Sequence, residues 1–454
     1  MDADNLQSLR AQIMKQLGDS TPIFEESRER YIIGDKKPDL VVTPSDAHQI
    51  ASIMESAHSS RAAVIPWGGG TNITTGNLPE HYDIALDVRK LNLLKEYEPA
   101  EFLVIAGAGM TLSKLNEALA EHNQFLPLNP PHPEKTTIGG ILASNAYGYL
   151  RDTYGAARDM TLGLRFVRAD GTHVKGGGKV AKNVAGYDLT RLLIGSWGTL
   201  GIITEAALRI HPVPEKQTTI LAGFENLSST VDAAFEMQNS YFAPTFIVVL
   251  NRTLAGKIAA QINMDIENGA YMFVIGVDEL EETVSWQVDN IKTVCQKNHV
   301  FICDVIPGDI ALQVRNNLRD YPSAEYTGVV CKIAATKTGV VNLLNFLHDL
   351  KSRTGFSVEI LTYFGSGIVY VLMPFPSDID DLFKNEAVEF VKNLRLFAEE
   401  DSGFCTLEHA PVWLKKPRLL RVWPTFPGET IMKKLKKQFD SNNVLNPERF
   451  IRQT

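Results

Sequence analysis

The residues whose types and spacing most directly suggest chemistry are Pro66-Trp67-Gly68-Gly69-Gly70-Thr71-Asn72, directly after the apolar run Ala62-Ala63-Val64-Ile65. A strand running into three glycines can press its backbone against a ligand and reach φ values closed to other residues. Successive N–H groups in such a turn form an anion-binding concavity, and Thr71 and Asn72 add side-chain donors. A phosphate or pyrophosphate is the guest this suits. The same glycines also suit a hairpin loop that needs them for geometry alone. Neither common nucleotide loop fits: a P-loop ends in Gly-Lys-Ser/Thr and a Rossmann loop opens a helix. Here Ile73-Thr74-Thr75-Gly76-Asn77-Leu78-Pro79 follows, which reads as turns.

Two further segments bear on the loop. Thr136-Thr137-Ile138-Gly139-Gly140-Ile141-Leu142-Ala143-Ser144-Asn145 reads as the start of a helix with small residues in its first turn. Such a terminus offers free N–H donors, a partial positive charge and room for a planar ligand. Lys182-Asn183-Val184-Ala185-Gly186-Tyr187-Asp188 leads on to Gly195-Ser196-Trp197-Gly198-Thr199-Leu200-Gly201-Ile202-Ile203. With these three segments in order, residues 37 to 215 resemble the FAD-binding oxidoreductases of the vanillyl-alcohol oxidase / p-cresol methylhydroxylase (PCMH) type. The C-terminal Leu445-Asn446-Pro447 resembles that family's ending.

The resemblance implies an α+β fold: a two-lobed PCMH-type FAD-binding domain plus an α+β cap domain whose antiparallel sheet is covered by helices. It implies FAD, with the Gly68–Thr71 amides on the pyrophosphate and the stretch Gly198–Ile203 (Gly198, Thr199, Leu200, Gly201, Ile202 and Ile203) along the adenosine end. Pro66, Trp67, Asn72, Pro131, Thr136, Thr137, Gly139, Gly140, Ser144, Tyr154 and Asn446 are its further expected cofactor contacts. No histidine or cysteine stands in the glycine loop, so the flavin is expected to be held non-covalently.

Composition agrees with a large soluble enzyme. The 454 residues, 44% hydrophobic and 22% charged, suffice for about three domains with substantial cores. A net charge of −8 argues against a nucleic-acid partner. The basic run Lys433, Lys434, Lys436 and Lys437 reads as a solvated helix face, with Leu435 and Phe439 at core spacing. The N-terminus lacks the basic and apolar parts of a secretion signal, and no apolar run approaches a membrane span. The expected location is therefore the cytoplasm, peripheral to the inner membrane only through partners. Cys295, Cys303, Cys331 and Cys405 are scattered, poor material for an iron–sulfur or zinc site, and read as buried free thiols.

The elements that must position the loop follow from periodicity. Asp46 caps a helix with Ile50, Ile53, Met54 and Ala57 on one face, joining strands Leu40–Val42 and Ala62–Ile65. Ile84–Val88 and Phe102–Ala106 are strand-like, Leu112–Glu121 is an amphipathic helix, and Asp170-Gly171 turns a hairpin. After Pro212-Val213-Pro214 strands alternate with helices of about 12 to 16 residues, suggesting an open sheet with helices on one face. The domains expected are a helical lead-in (1–36), the FAD-binding domain (37–215), the cap (216–425) and a returning segment (426–454).

The cap departs from the D-lactate and 2-hydroxyglutarate dehydrogenases of the family. These carry a metal on a histidine-bearing strand turn and a later Glu-His pair. The corresponding Leu361-Thr362-Tyr363-Phe364-Gly365-Ser366-Gly367-Ile368-Val369-Tyr370 has no histidine, and Glu408-His409 stands without partners, so no metal is expected. In this the chain resembles the FAD-binding accessory subunit of glycolate oxidase, which works beside a homologous flavoprotein subunit and an iron–sulfur subunit. Two readings compete: a flavoenzyme oxidising a small 2-hydroxy acid (glycolate or D-lactate type), and a non-catalytic flavin-carrying subunit for electron transfer and assembly. No catalytic residue is assigned. His132 is a candidate base or a plain loop histidine; Arg151, Arg158 and Arg191 are carboxylate clamps or ion-pair partners; Tyr154 and Tyr187 face the flavin or fill a core.

Overall fold

The computed structural model describes residues 3–17, 28–179, 186–264, 271–323, 325–353, 357–376, 379–416 and 420–452. The Lys182–Ala185 part of the third motif and part of the N-terminal lead-in lie outside them. The chain forms two compact units: Met1–Tyr147, Gly155–Val213 and Thr425–Thr454 make the first, Gly148–Tyr154 and Pro214–Pro424 the second.

In the first unit, Asp46 accepts from the His48 and Gln49 amides and starts helix Ala47–Ser60. Its apolar face buries Ile50, Ile53, Met54 and Ala57 against Leu9 and Ile13 of helix Ala3–Leu17. The strands it joins, Leu40–Val42 and Val64–Trp67, are not neighbours. Ile84–Asp87 lies between them, parallel to both, pairing Ile84 with Leu40 and with Val64. A second lobe is a five-stranded antiparallel sheet in the order Leu94–Glu98, Leu103–Gly107, Ile202–Arg209, Thr161–Val167, His173–Gly177.

The second unit is built on an eight-stranded sheet whose pairings are all antiparallel. Helices Leu227–Gln238, Glu281–Lys297, Lys337–Arg353 and Asp381–Glu400 cover one face. The expectation of helices on one face only is corrected. Along Phe246–Leu250 every residue is buried, and only Ile247 and Val249 face that helical core. The alternate residues need a second cover, and helices Arg252–Gln261 and Gly308–Asp320 also pack on the sheet. From the latter, buried Arg315 makes a bidentate pair with Asp278 at 2.7 and 2.9 Å.

Candidate functional site

Strand Val64–Trp67 is held on both sides. Ile84–Asp87 pairs with one edge, while the C-terminal segment joins the other through Val64 N–H to Val444 O at 2.7 Å and Asn446 N–H to Val64 O at 2.8 Å. The glycines follow at its carboxyl end, where parallel strands open a crevice. The reason for them differs from the expectation. Only Gly70 takes a positive φ, of 81°. A Cβ on Gly69 would lie 1.8 Å from the Lys135 carbonyl oxygen, and one on Gly68 2.2 Å from Thr137 Oγ1. Close approach to residues 135–137 thus demands two of the three glycines. The loop's carbonyls are used internally, Gly70 O by Ile73 N–H and Asn72 O by Thr75 N–H. The amides of Gly68, Gly69, Gly70, Thr71 and Asn72 donate to no acceptor among the described residues, and all five residues line one cavity. A row of unspent donors is what an anion needs.

The helix beyond the cavity, Ile138–Ser144, is capped by Thr137. Its terminus does not offer the free donors expected. Ile138 N–H donates to Met110 O and Gly139 N–H to Ala108 O, each at 2.8 Å, and Gly140 N–H reaches Thr137 Oγ1 at 3.3 Å. The residue 108–111 segment consumes them because Thr111 bridges to Thr137. What the helix contributes is its dipole and a small-residue wall, with Ser144 Oγ accepting from Asn72 Nδ2 at 3.1 Å.

Pro66, Trp67, Gly68, Gly69, Gly70, Thr71, Asn72, Thr137, Gly139, Gly140, Ser144, Gly198, Gly201, Ile203 and Asn446 all line this cavity. Pro131, Thr136, Thr199 and Leu200 do not. Thr136 Oγ1 donates to Pro131 O at 2.7 Å and meets Thr71 Oγ1 at 2.9 Å, so the pair braces the loop. Thr199 and Leu200 face an adjoining hollow that shares Asn446. Tyr154 belongs to the second unit. Asn446 donates to Trp197 O at 2.5 Å, and its own buried Oδ1 has no partner among the described residues.

Sequence reasoning missed Ile73, Val88, Ala143, Trp197 and Arg449. Val88 was findable, since it follows the parallel neighbour of the glycine-loop strand. Arg449 is fully enclosed; its guanidinium binds the carbonyls of Ile73, Thr75 and Asn77 and so sets the turns after the loop. Burial lowers its pKa to about 10. Lys436 is a further correction to the solvated basic face. It is 4% exposed and donates to Thr199 O at 3.0 Å, Leu445 O at 2.7 Å and Asp440 Oδ2 at 2.5 Å.

Residues 38–177 match the model of an FAD binding domain, and residues 213–450 match that of the FAD linked oxidases, C-terminal domain. The chain belongs to the FAD-linked oxidases. It is 28% identical over 422 residues to glycolate oxidase subunit GlcD of Bacillus subtilis, covering 90% of this chain and 88% of that one. It is 27% identical over 426 residues to a D-lactate dehydrogenase of Archaeoglobus fulgidus, covering 91% of each. In fold it matches p-cresol methylhydroxylase with a TM-score of 0.77 at 15% identity, over 99% of this chain and 97% of that one. Its cofactor is FAD. The unspent amides, the small-residue wall and the orphan Asn446 acceptor fit a dinucleotide.

In this FAD-linked oxidase none of the first unit's candidate catalytic side chains lines the described cavity. His132 lies 3.7 Å from Glu134 and Arg191 pairs with Asp188 at 3.4 Å, both off the cavity lining. Arg158 is exposed, and Tyr187 is 97% exposed, neither core nor cavity wall. Arg151 lies on the second unit's helix Arg151–Tyr154. In that unit Tyr363 is buried at the end of strand Glu359–Tyr363, and the turn carrying Gly365 packs against Asp152. Glu408 pairs with Lys332 at 3.0 Å. Burial, with Lys415 and Lys332 nearby, lowers the His409 pKa to about 3. Among the described residues no three His, Cys, Asp or Glu side chains converge as a metal site. No helix of the described residues is long and apolar enough to cross a membrane.

Proposed function

We propose that this FAD-linked oxidase oxidises a small 2-hydroxy acid of the glycolate or D-lactate type, as the FAD-binding subunit of a glycolate oxidase-like complex that includes a homologous flavoprotein and an iron–sulfur subunit. The observation that carries the cofactor half is the run of unspent amides from Gly68 to Asn72 on a cavity wall. The substrate half is supported by two relatives of near full coverage, one named for glycolate and one for D-lactate, which share the 2-hydroxy acid group. The Gly68–Thr71 amides would take the pyrophosphate, with Gly198, Gly201 and Ile203 along the adenosine end and Asn446 Oδ1 accepting from a donor of the dinucleotide. FAD, when bound, supplies the hydride acceptor. The binding is non-covalent, so acid precipitation releases all the yellow colour; a yellow pellet contradicts this.

A second reading, a flavin-carrying subunit with no cycle of its own, is favoured by the Lys332–Glu408 pair and the buried neutral His409. Both groups are then structural and no metal is bound. Anaerobic mixing with glycolate, D-lactate and D-2-hydroxyglutarate separates the readings. Bleaching of the flavin band by any of them supports the enzyme, and an unchanged band in the flavin-replete protein supports the carrier.

A further inference from the structure

Helix Glu429–Phe439 carries an apolar stripe at Met432, Leu435 and Phe439, spaced to pack on a core. Yet the residue that the helix buries is Lys436, while Met432 and Leu435 are only partly covered. With Leu192, Leu200 and Phe450 these two line a hollow of about 220 Å³, against about 120 Å³ for the glycine-loop cavity. Asn446 is the lining residue that the two cavities share, and both lie in the first unit. Ser196 stands among the apolar side chains, 5% exposed. Its carbonyl accepts from Thr199 Oγ1 at 2.6 Å and its amide donates to Leu193 O at 3.2 Å. Its hydroxyl has no partner among the described residues, which is uncommon for a buried polar atom. Arg191 also lines the hollow, with a side chain 60% exposed at its mouth. Its pair with Asp188, at 3.4 Å between two exposed groups, is a weak surface contact. Lys436 is a lining residue too, but its ammonium is spent on Thr199 O, Leu445 O and Asp440.

We propose that this hollow is a second ligand site, for an apolar monocarboxylate of the medium-chain fatty acid class, occupied with FAD in place. Mostly apolar walls with a few polar groups are the general form of a small-molecule pocket. A carboxylate is the head that both free donors suit: the guanidinium of Arg191 matches its two oxygens, and the Ser196 hydroxyl donates to one of them. The tail lies along Met432, Leu435, Leu192 and Phe450 and takes their remaining apolar area out of water. A cationic head would meet Arg191 as a like charge. A short 2-hydroxy acid has no tail to cover the stripe, so this guest is not the substrate of the flavin.

The test is equilibrium dialysis of radiolabelled decanoate against the full-length, FAD-loaded chain, with decanol as the neutral control. The expected result is saturable binding of a single decanoate with a Kd below about 1 mM. Arg191→Gln, a surface change, weakens decanoate at least ~10-fold and leaves decanol within about twofold of its parent value. Leu435→Trp fills the hollow and removes both. The flavin band of each variant reports that the first unit has folded. Absence of saturable binding in the parent, undiminished binding in folded Leu435→Trp, or equal weakening of decanoate and decanol in Arg191→Gln would each overturn the proposal. So would release of FAD by decanoate, which would make the hollow part of the flavin site.

Discussion

A glycine can be demanded by its neighbours as firmly as by a ligand, and Gly69 is such a case. Its missing Cβ makes room for the Lys135 carbonyl oxygen, which a side chain would overlap at 1.8 Å. Gly69→Val must therefore push the loop off residues 135–137 and turn its donor row away from the cavity. The expected outcome is loss of at least ~90% of bound FAD, a tenfold or larger weakening of affinity, while the second unit keeps its thermal transition. Full flavin occupancy in that variant would mean that the phosphates bind elsewhere. Lys436 is the second residue whose surroundings decide its role. Asp440 accepts from Lys436 and from the Val444 and Leu445 amides at 2.9 and 2.7 Å, in the segment that flanks the glycine-loop strand. Lys436→Met leaves a buried carboxylate without its cation, expected to cost about 3–5 kcal/mol. Urea unfolding of the first unit measures it, and a cost below about 1 kcal/mol, the range of a surface pair, would sink the structural assignment.

Elements were legible where one face of a segment decides its fate. The 3.6-residue spacing of Ile50, Ile53, Met54 and Ala57 gave the helix, with Asp46 at its cap as read. Strand Phe246–Leu250 and helix Glu281–Lys297 belong to the alternation of strands and helices expected after Pro214. Strand Leu94–Glu98 was not legible because its residues are only partly buried and carry three charges, and helix Arg252–Gln261 lacks the strong periodicity that a fully amphipathic surface helix shows. The site's donor economy was hidden for another reason: which amides are spent depends on Thr111 meeting Thr137, a long-range pairing. Two elements of the second unit carry opposed titrations that no sequence pattern announces. Burial raises the Asp152 pKa to about 6, with Ser366 and Gly365 donors pulling it back. Its contribution to stability is greatest below the unfolded value of 3.8 and falls by about 3 kcal/mol as pH rises through 6. His409, lowered from 6.5 to about 3, contributes fully above pH 6.5 and loses up to about 5 kcal/mol as pH falls through that range. Between about pH 4 and 6 the slopes cancel, each being about 1.4 kcal/mol per pH unit. His409→Gln should make stability fall with pH across that window relative to the parent, and Asp152→Asn should make it rise. Urea midpoints at three pH values decide, and parallel profiles for parent and both variants would refute the assignment.

At the scale of the whole molecule the question is where electrons go once the flavin is reduced. The first unit supplies a place for FAD, and its cavity is lined by the glycine-loop amides, small and aliphatic side chains, Trp67, Trp197 and Arg449, with no cysteine among them. Cys295, Cys303, Cys331 and Cys405 are free thiols, and among the described residues nothing gathers the ligands of a cluster. Among the described residues a two-electron flavin meets no cluster that would take electrons singly, so turnover is expected to depend on an external acceptor. Two observables follow under the 2-hydroxy acid reading. Substrate-reduced protein should be reoxidised slowly by dioxygen and at least ~100-fold faster by an artificial dye or an iron–sulfur protein, a barrier difference of roughly 3 kcal/mol. At natural expression levels the chain should also copurify with a second flavoprotein and a cluster-bearing protein. The two readouts fail separately: fast dye turnover by a chain that purifies alone would leave a self-contained dehydrogenase, whereas rapid oxygen-dependent turnover by the lone chain would make it an oxidase and remove the need for any partner.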